Sequence, residues 1–361
     1  MPCGRFVAHT GVDEIMAVSL IYDCGPRKRS CEILADVMRP AAPWASSAER
    51  VHEICMRRSS MKAILLTAYG DVDKLEVRDV PEPVPGPNEI SVRMVAAGIN
   101  PVDWKLRSGA LAAWMPLELP AILGRDASGT VVAVGPEVTA FKVGARVMGL
   151  VNRGYAEVVV APVDAWAEVP AELDLIEAGA LPLALLTGAQ LVEEAVKPRQ
   201  GDVILVTGAL GSVGRAAVYA ATLLGAKVWA GVRTKQVDEA RRLVAEGVIA
   251  LDDDAELAKM PELDGIADTV GGETIKRLLG KVKRGGTIGS VVGEPEGAKE
   301  QGLVVRSMLA HPDAKRLAQL AEAVAHGKLE IPIAKKLPLA EARMAQTLAQ
   351  RSVGGKVILL G

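Results

Sequence analysis

The chain has 361 residues, half of them apolar and only 3% aromatic, and 42 Lys and Arg face 44 Asp and Glu for a net charge of −2. That near balance leaves no global field to attract nucleic acid or anionic lipid, and no uncharged apolar run reaches the ~20 residues of a membrane-spanning helix. The length favours two domains, and the composition points to a small-molecule partner.

Cys3, Cys24, Cys31 and Cys55 all precede Met61, and no cysteine follows. Whatever folds after Met61 therefore uses neither disulfides nor thiolate-bound metal. Residues 1–60 lack clear period-2 or period-3.6 patterning and mix prolines with basic clusters such as "GPRKRS". They read as an extension outside the fold, either disordered or upstream of a start at Met61. Seven acidic residues and the lack of a continuous apolar core argue against a transit or secretory leader there. The expected location is cytoplasmic.

From Met61 the texture is short strands divided by Pro and Gly: "MKAILLTAY", "LEVRDV", "EISVRMVAAGI", "ASGTVVAVG" and "ARVMGLV". This spacing predicts a small, mostly β, barrel-like module over residues 61–183, completed by 311–361. The apolar "AGALPLALLTGAQLV", broken by Pro182, reads as a buried hinge. Residues 184–310 then alternate strands and helices, the mark of a doubly wound parallel sheet in an α/β fold. Its units are "DVILVTG" with "SVGRAAVYAATLLG", "KVWAGV" with "TKQVDEARRLVAEG", "VIAL", "IADTVG" with "ETIKRLLGKVKRGG", and "TIGSVVG".

In "VTGALGSVG" three glycines follow a strand and open an alanine-rich helix. Dinucleotide sites need backbone N–H groups and a helix N-terminus close to a pyrophosphate, and a Cβ would obstruct both. Gly208 is assigned to the turn, Gly211 to the approach of phosphate and Gly214 to helix packing, with Ala209 in the corner and Ser212 and Val213 as the first free N–H donors. Nineteen positions past Gly214 stand Arg233, Thr234 and Lys235. Cations in place of the usual carboxylate favour a 2′-phosphate, hence NADPH. The alternative is a solvated helix start. Val270 and Gly271 follow the fourth strand of the parallel sheet, and Val292 and Gly293 the fifth; they are expected at the ribose and nicotinamide, or else to serve packing.

With strand module, Leu-Pro hinge and dinucleotide fold in this order, residues 61–361 resemble the medium-chain dehydrogenase/reductase superfamily, in its zinc-independent quinone oxidoreductase branch, which includes zeta-crystallin. The motifs are "AAGINPVDWKLRSG", "GRDASGTVVAVG", "GYAEVVVAP", "LPLALLTGAQ", "VTGALGSVG", "DTVGG" and "GGKVILLG". The resemblance implies a GroES-like catalytic domain beside the Rossmann-type domain. Zinc-dependent members carry Cys-His and His-Glu pairs where this chain has Asn100-Pro101 and Arg125-Asp126, and a cysteine-rich structural zinc lobe where this chain has no cysteine past Cys55, so both metal sites are expected to be absent.

Without a Lewis acid, hydride transfer suits acceptors whose negative charge spreads, such as quinones and α,β-unsaturated carbonyls. The resemblance places Asn100 toward the nicotinamide and the substrate carbonyl, with its amide available to developing oxyanion charge, though Asn before Pro is also a turn former. Lys105 stands where many relatives have tyrosine, as a substitute donor or as a surface lysine. Thr187 matches a position beside the cofactor, or serves as a helix N-cap. Arg107 reads as a structural ion-pair member, Asp103 and Asp126 as scaffold, and Tyr155 as core or pocket wall. Relatives often have tyrosine near the 2′-phosphate where this chain has "ALDDD", which counts against NADPH. Homodimer formation through a sheet edge at "TIGSVVGEP" is carried over by analogy. Enoyl-thioester reduction and a redox-inactive NADPH-binding structural role are the competing readings.

Overall fold

A computed structural model describes residues 60–361, and the expectations placed on residues 1–59 lie outside the described residues. Strands β1 (Ser60–Leu66) and β2 (Leu75–Pro81) form an antiparallel pair, extended by β4 (Ala121–Ile122). The larger sheet runs β15 (Ile333–Pro338), β16 (Lys356–Leu360), β3 (Glu89–Gly98), β5 (Asp126–Val134), β6 (Arg146–Leu150) and β8 (Trp166–Glu168), with β7 (Val158–Pro162) paired to β3. Helix α1 (Pro101–Arg107) leaves the end of β3, and Pro101 at its first position fits because its missing N–H would be an orphan there. β16 thus sits in the middle of a sheet begun more than two hundred residues earlier.

After the one-turn helix α2 (Leu175–Ala178), α3 (Pro182–Gln190) carries the chain into the second domain, widening to a π-helix over Leu191–Val196. The apolar hinge segment is therefore a buried helix. Gly188 of α3 lies so close to α4 (Ser212–Leu223) that a Cβ would overlap the Val213 carbonyl and meet the Ala217 nitrogen at 2.7 Å. Ala216, Ala217, Ala220 and Ala221 let the helices close in this way and join one core with Leu185, Leu186 and Ala189. That core also takes Met148 and Leu150 from the barrel module, so the two domains share apolar packing.

The dinucleotide sheet is parallel throughout, in the order β11 (Gly247–Ala250), β10 (Lys227–Val232), β9 (Val203–Thr207), β12 (Leu263–Asp268), β13 (Val282–Ser290), β14 (Val304–Ser307). Strand order reverses between β9 and β12, and ligands of such sheets sit outside the carboxyl ends of the strands at that point. The remaining helices are α5 (Val237–Ala240), α6 (Asp254–Lys259), α7 (Gly272–Leu278), α8 (Ala314–Ala325) and α9 (Ala342–Gln350).

Three expectations are corrected. The helix expected over "TKQVDEARRLVAEG" shrinks to a 3₁₀ turn at Thr234–Gln236 and the single turn of α5. The chain must drop back to β11, where Glu246 N–H donates to the Val228 carbonyl at 2.8 Å, and a longer helix would overshoot. "VKRGG" belongs to β13, and Lys281 before it ends a 3₁₀ turn rather than continuing the helix. "TIGSVVG" is not an edge, because β14 covers it, and β14 is the outer strand.

Candidate active site

The glycine corner lies at the carboxyl end of β9. Gly208 has φ of +62°, in the left-handed region, and a Cβ there would stand 2.7 Å from Thr269 Oγ1. A Cβ on Gly214 would overlap the Gly208 carbonyl and lie 2.8 Å from Ala209 Cα, so the helix seats directly on the turn. Gly211 differs: a Cβ on it would meet only the Gly208 oxygen, at 3.2 Å, and otherwise point into open space. Among the described residues no side chain caps α4 at Gly211, which leaves the first N–H groups of the helix, at Ser212 and Val213, without a side-chain acceptor there. A diphosphate fits that space and that donor set. Ala209 is buried and its N–H donates to the Gly231 carbonyl at 3.1 Å, so it shapes the corner without a free donor.

A carboxylate absent from the expected set organises the neighbouring strand ends. Asp268 is fully buried at the end of β12. Its Oδ1 accepts from Thr207 Oγ1 at 2.8 Å, Gly271 N at 3.0 Å and Val270 N at 3.1 Å, and its Oδ2 from Ser290 Oγ at 3.1 Å. Thr207 in turn receives Thr269 N–H, and Ser290 receives Val292 N–H. The N–H groups of Val270, Gly271 and Val292 therefore bond within the protein. What they offer a ligand is surface: the side chains of Val270 and Val292 are 48% and 38% exposed, and a Gly271 Cβ would come within 2.9 Å of Val292. Gly293 follows with open space at its Cβ position.

At the tip of β10, Arg233, Thr234 and Lys235 are exposed. Asp252, from the acidic loop after β11, accepts Thr234 N at 2.7 Å and Thr234 Oγ1 at 2.8 Å. The Thr234 hydroxyl bond, then its N–H, hold the Asp252 carboxyl below its usual range, and Arg233 adds to this. One of the acidic residues found where relatives place a tyrosine thus touches the residue between the two cations.

On the barrel side, Asn100 caps α1, but its amide is not free. Nδ2 donates to Asp126 Oδ2 at 2.8 Å and to the Gly98 carbonyl at 3.3 Å, while Oδ1 accepts Lys356 Nζ at 2.6 Å. In this arrangement both amide hydrogens are committed within a buried cluster rather than turned toward an acceptor. Asp126 also accepts Leu183 N–H, at the start of α3, at 2.6 Å. Lys356 was not among the expected residues; a lone lysine heading the otherwise apolar run "KVILL" is the only sequence signal it leaves. Lys105, half-exposed on α1, makes no side-chain hydrogen bond or ion pair among the described residues. Thr187 lies in the middle of α3, buried, and is not its N-cap; Leu181 holds that place.

Tyr155 is core, and its hydroxyl donates to Asp103 Oδ2 at 2.7 Å, which also takes Asn100 N–H at 2.8 Å. Burial outweighs these bonds and pushes the Asp103 carboxyl up to about 6. Arg107, expected in an ion pair, donates chiefly to neutral oxygens, Gln346 Oε1 at 2.8 Å and the Gly70 carbonyl at 3.2 Å, with exposed Asp71 at 3.9 Å. Because the folded-state value of Asp103 exceeds its unfolded 3.8, the folded protein binds the extra proton and loses stability as pH rises from about 4 to 6. Asp103→Asn keeps the acceptor. Its stability relative to wild type is expected to rise by roughly 2 kcal/mol between pH 4 and pH 7, as denaturant titrations at the two pH values would measure.

Among the described residues, no group of three or more His, Cys, Asp or Glu is placed to hold a metal ion, and no helix is long and apolar enough to cross a membrane. Two family models match, the alcohol dehydrogenase GroES-like domain over residues 86–171 and the zinc-binding dehydrogenase over residues 243–359. A quinone oxidoreductase of Pseudomonas aeruginosa is 32% identical over 331 residues, covering 83% of this chain and 99% of that one. Other relatives align over less: the match spans 60% of a chloroplast envelope quinone oxidoreductase homolog of Arabidopsis thaliana, at 34% identity and over 52% of this chain. Among solved structures, the quinone oxidoreductase of Coxiella burnetii superposes with a TM-score of 0.76 at 30% identity, covering 84% of this chain and 99% of that one. A mycobacterial protein solved in complex with NADPH superposes at 0.72 and 29% identity, over 83% of this chain and all of that one. Sheet order, glycine corner and these likenesses agree: the chain belongs to the quinone oxidoreductase branch of the medium-chain dehydrogenase/reductase superfamily.

Proposed function

We propose that this oxidoreductase reduces a quinone or an α,β-unsaturated carbonyl with hydride from NADPH, without a metal ion. The observation that carries the reading is the uncapped start of α4 at the strand-order reversal, with open space before Gly211. Ser212 and Val213 would hold the diphosphate, Arg233 and Lys235 the 2′-phosphate, and Val270 and Val292 would wall the nicotinamide ribose. NADPH when bound supplies the hydride. The chain's own part is to orient it, exclude water and hold a donor at the acceptor oxygen, where charge gathers. Lys105 suits that role because its ammonium is uncommitted, while Asn100 shapes the loop beside it. Two copies meeting along β14 would form the dimer.

The Asp252 carboxylate beside Thr234 favours a second reading, in which NADH is accepted nearly as well. Initial rates with NADPH and NADH over a panel of quinones, alkenals and enoyl thioesters decide among these. Wild type is expected to prefer NADPH and quinones or alkenals, and Arg233→Asp is expected to lower the NADPH-to-NADH ratio of kcat/KM by about 10–100-fold, the range of one or two charge-assisted contacts. A wild-type ratio near one would support the second reading, and turnover confined to thioesters would replace the acceptor class.

A further inference from the structure

We propose that Lys356 is a positioning residue for hydride transfer: with Asp126 it clasps the Asn100 loop of the barrel domain to the helix that braces the cofactor-binding helix. This rests on the reductase reading above. Lys356 Nζ, buried, donates to Asn100 Oδ1 at 2.6 Å and lies 3.3 Å from Asp126 Oδ2, the same oxygen that takes Asn100 Nδ2 at 2.8 Å. The three side chains close a ring drawn from the end of β3, the start of β5 and the start of β16. Asp126 Oδ1 leaves the ring to accept Leu183 N–H at 2.6 Å, in the first turn of α3. Five residues further along α3, Gly188 rests on the backbone of Val213 and Ala217 in α4. Asp126 therefore sets the Asn100 loop at a fixed place relative to α4, and loss of the clasp would shift that loop against a helix that Gly214 still seats on Gly208 and Ala209 beside the diphosphate space.

The ring closes against the bare backbone of Gly98: a Cβ there would stand 2.5 Å from Asp126 Oδ2 and 3.1 Å from Lys356 Nζ, so any side chain at 98 would push the ring apart. A charge pair is not needed here for stability, because well-packed apolar residues of equal volume often serve a buried site as well. What the pair adds is direction: the ammonium fixes the plane of the Asp126 carboxylate, and with it the line on which Leu183 N–H is met, and holds the Asn100 amide with Oδ1 toward Lys356 and Nδ2 toward Asp126. Hydride transfer requires carbon atoms ~3–3.5 Å apart, and a 1 Å misplacement far from the chemistry can lower a rate about 100-fold. Lys356 acts in this scheme only by placing the Asn100 loop against α3 and α4.

Three full-length variants test this: Lys356→Met, Lys356→Arg, and the double variant Asp126→Asn with Lys356→Met, which removes both charges while leaving an acceptor for Leu183. For each, kcat and KM with a reducible quinone, the primary isotope effect with NADPH deuterated at the transferred position, and affinities for NADPH and for 2′-phospho-ADP-ribose, which lacks nicotinamide, are measured. The methionine and double variants are both expected to lose about 30-fold or more in kcat, with quinone KM little changed and a larger isotope effect. Their NADPH affinity falls while that for 2′-phospho-ADP-ribose holds, and arginine recovers part of the rate. A folded double variant with wild-type kcat and isotope effect would overturn the proposal, as would equal loss of affinity for both ligands. If wild type reduces no acceptor, the reductase reading fails alone, and the ratio of the two affinities still decides the clasp.

Discussion

Asp268→Ala is expected to lower the unfolding free energy by about 3–5 kcal/mol, because it leaves four buried donors without their acceptor. The carboxylate accepts four hydrogen bonds that bind the ends of β9, β12 and β13 together. Alanine leaves the Thr207 and Ser290 hydroxyls and two backbone N–H groups facing an apolar void, and each buried orphan costs about 1–3 kcal/mol, less what relaxation recovers. Melting should fall by roughly 1.5–2 °C per kcal/mol for a chain of this size. Asp268→Asn separates charge from shape, because it keeps Oδ1 for three of the donors and presents Nδ2 to Ser290 Oγ, which is able to accept. Its loss should be less than half that of alanine. Chemical denaturation of both variants would measure this, and equal losses would show that charge, not acceptor geometry, holds the strand ends.

Gly214→Ala is expected to abolish dinucleotide binding at micromolar cofactor and to destabilise the fold by about 1–3 kcal/mol, the usual range for overpacking. The new methyl group overlaps the Gly208 carbonyl and presses on Ala209 Cα, both backbone atoms with no rotamer to yield. Helix α4 must lift from the turn, carrying the Ser212 and Val213 N–H groups away from the place a diphosphate would occupy. Gly211→Ala is the matched control for strain, since only Gly208 O lies near its Cβ, at 3.2 Å. It should keep the stability of wild type to within about 0.5 kcal/mol and still weaken the cofactor, because the methyl points into the ligand's space. Calorimetric titration with NADPH, beside thermal melts, distinguishes these outcomes.

The glycine corner was legible in the sequence because the backbone requires glycine at Gly208, by its positive φ, and at Gly214, by its contact with the Gly208 carbonyl, while Gly211 keeps the space before the helix open, and the three follow a β-branched strand at fixed spacing. The parallel sheet was legible for a related reason: strands buried on both faces show up as unbroken apolar runs. The crossover after β10 was not, because Val237, Ala240, Leu243 and Val244 mimic a helical stripe while the short path to β11 forbids the helix. Asp268 and Lys356 escaped because a single charged residue at the edge of an apolar strand carries no local pattern. Its meaning comes from partners distant in sequence, 61 residues from Asp268 to Thr207 and 256 from Lys356 to Asn100. Asn100 was singled out on its likeness to a family position, and only three-dimensional adjacency reveals that its amide is already occupied.

The placement of β16 between β15 and β3 bears on how the protein is made. As the ribosome extends the chain, β3, β5 and β6 emerge early, but the sheet they start lacks one of its interior members until some 200 further residues have been translated. The whole nucleotide-binding half emerges in between and is free to fold first, while the early strands keep an apolar border that chaperones would have to shield. Closure of the barrel then waits on contacts of very large sequence separation, the kind that slow folding most.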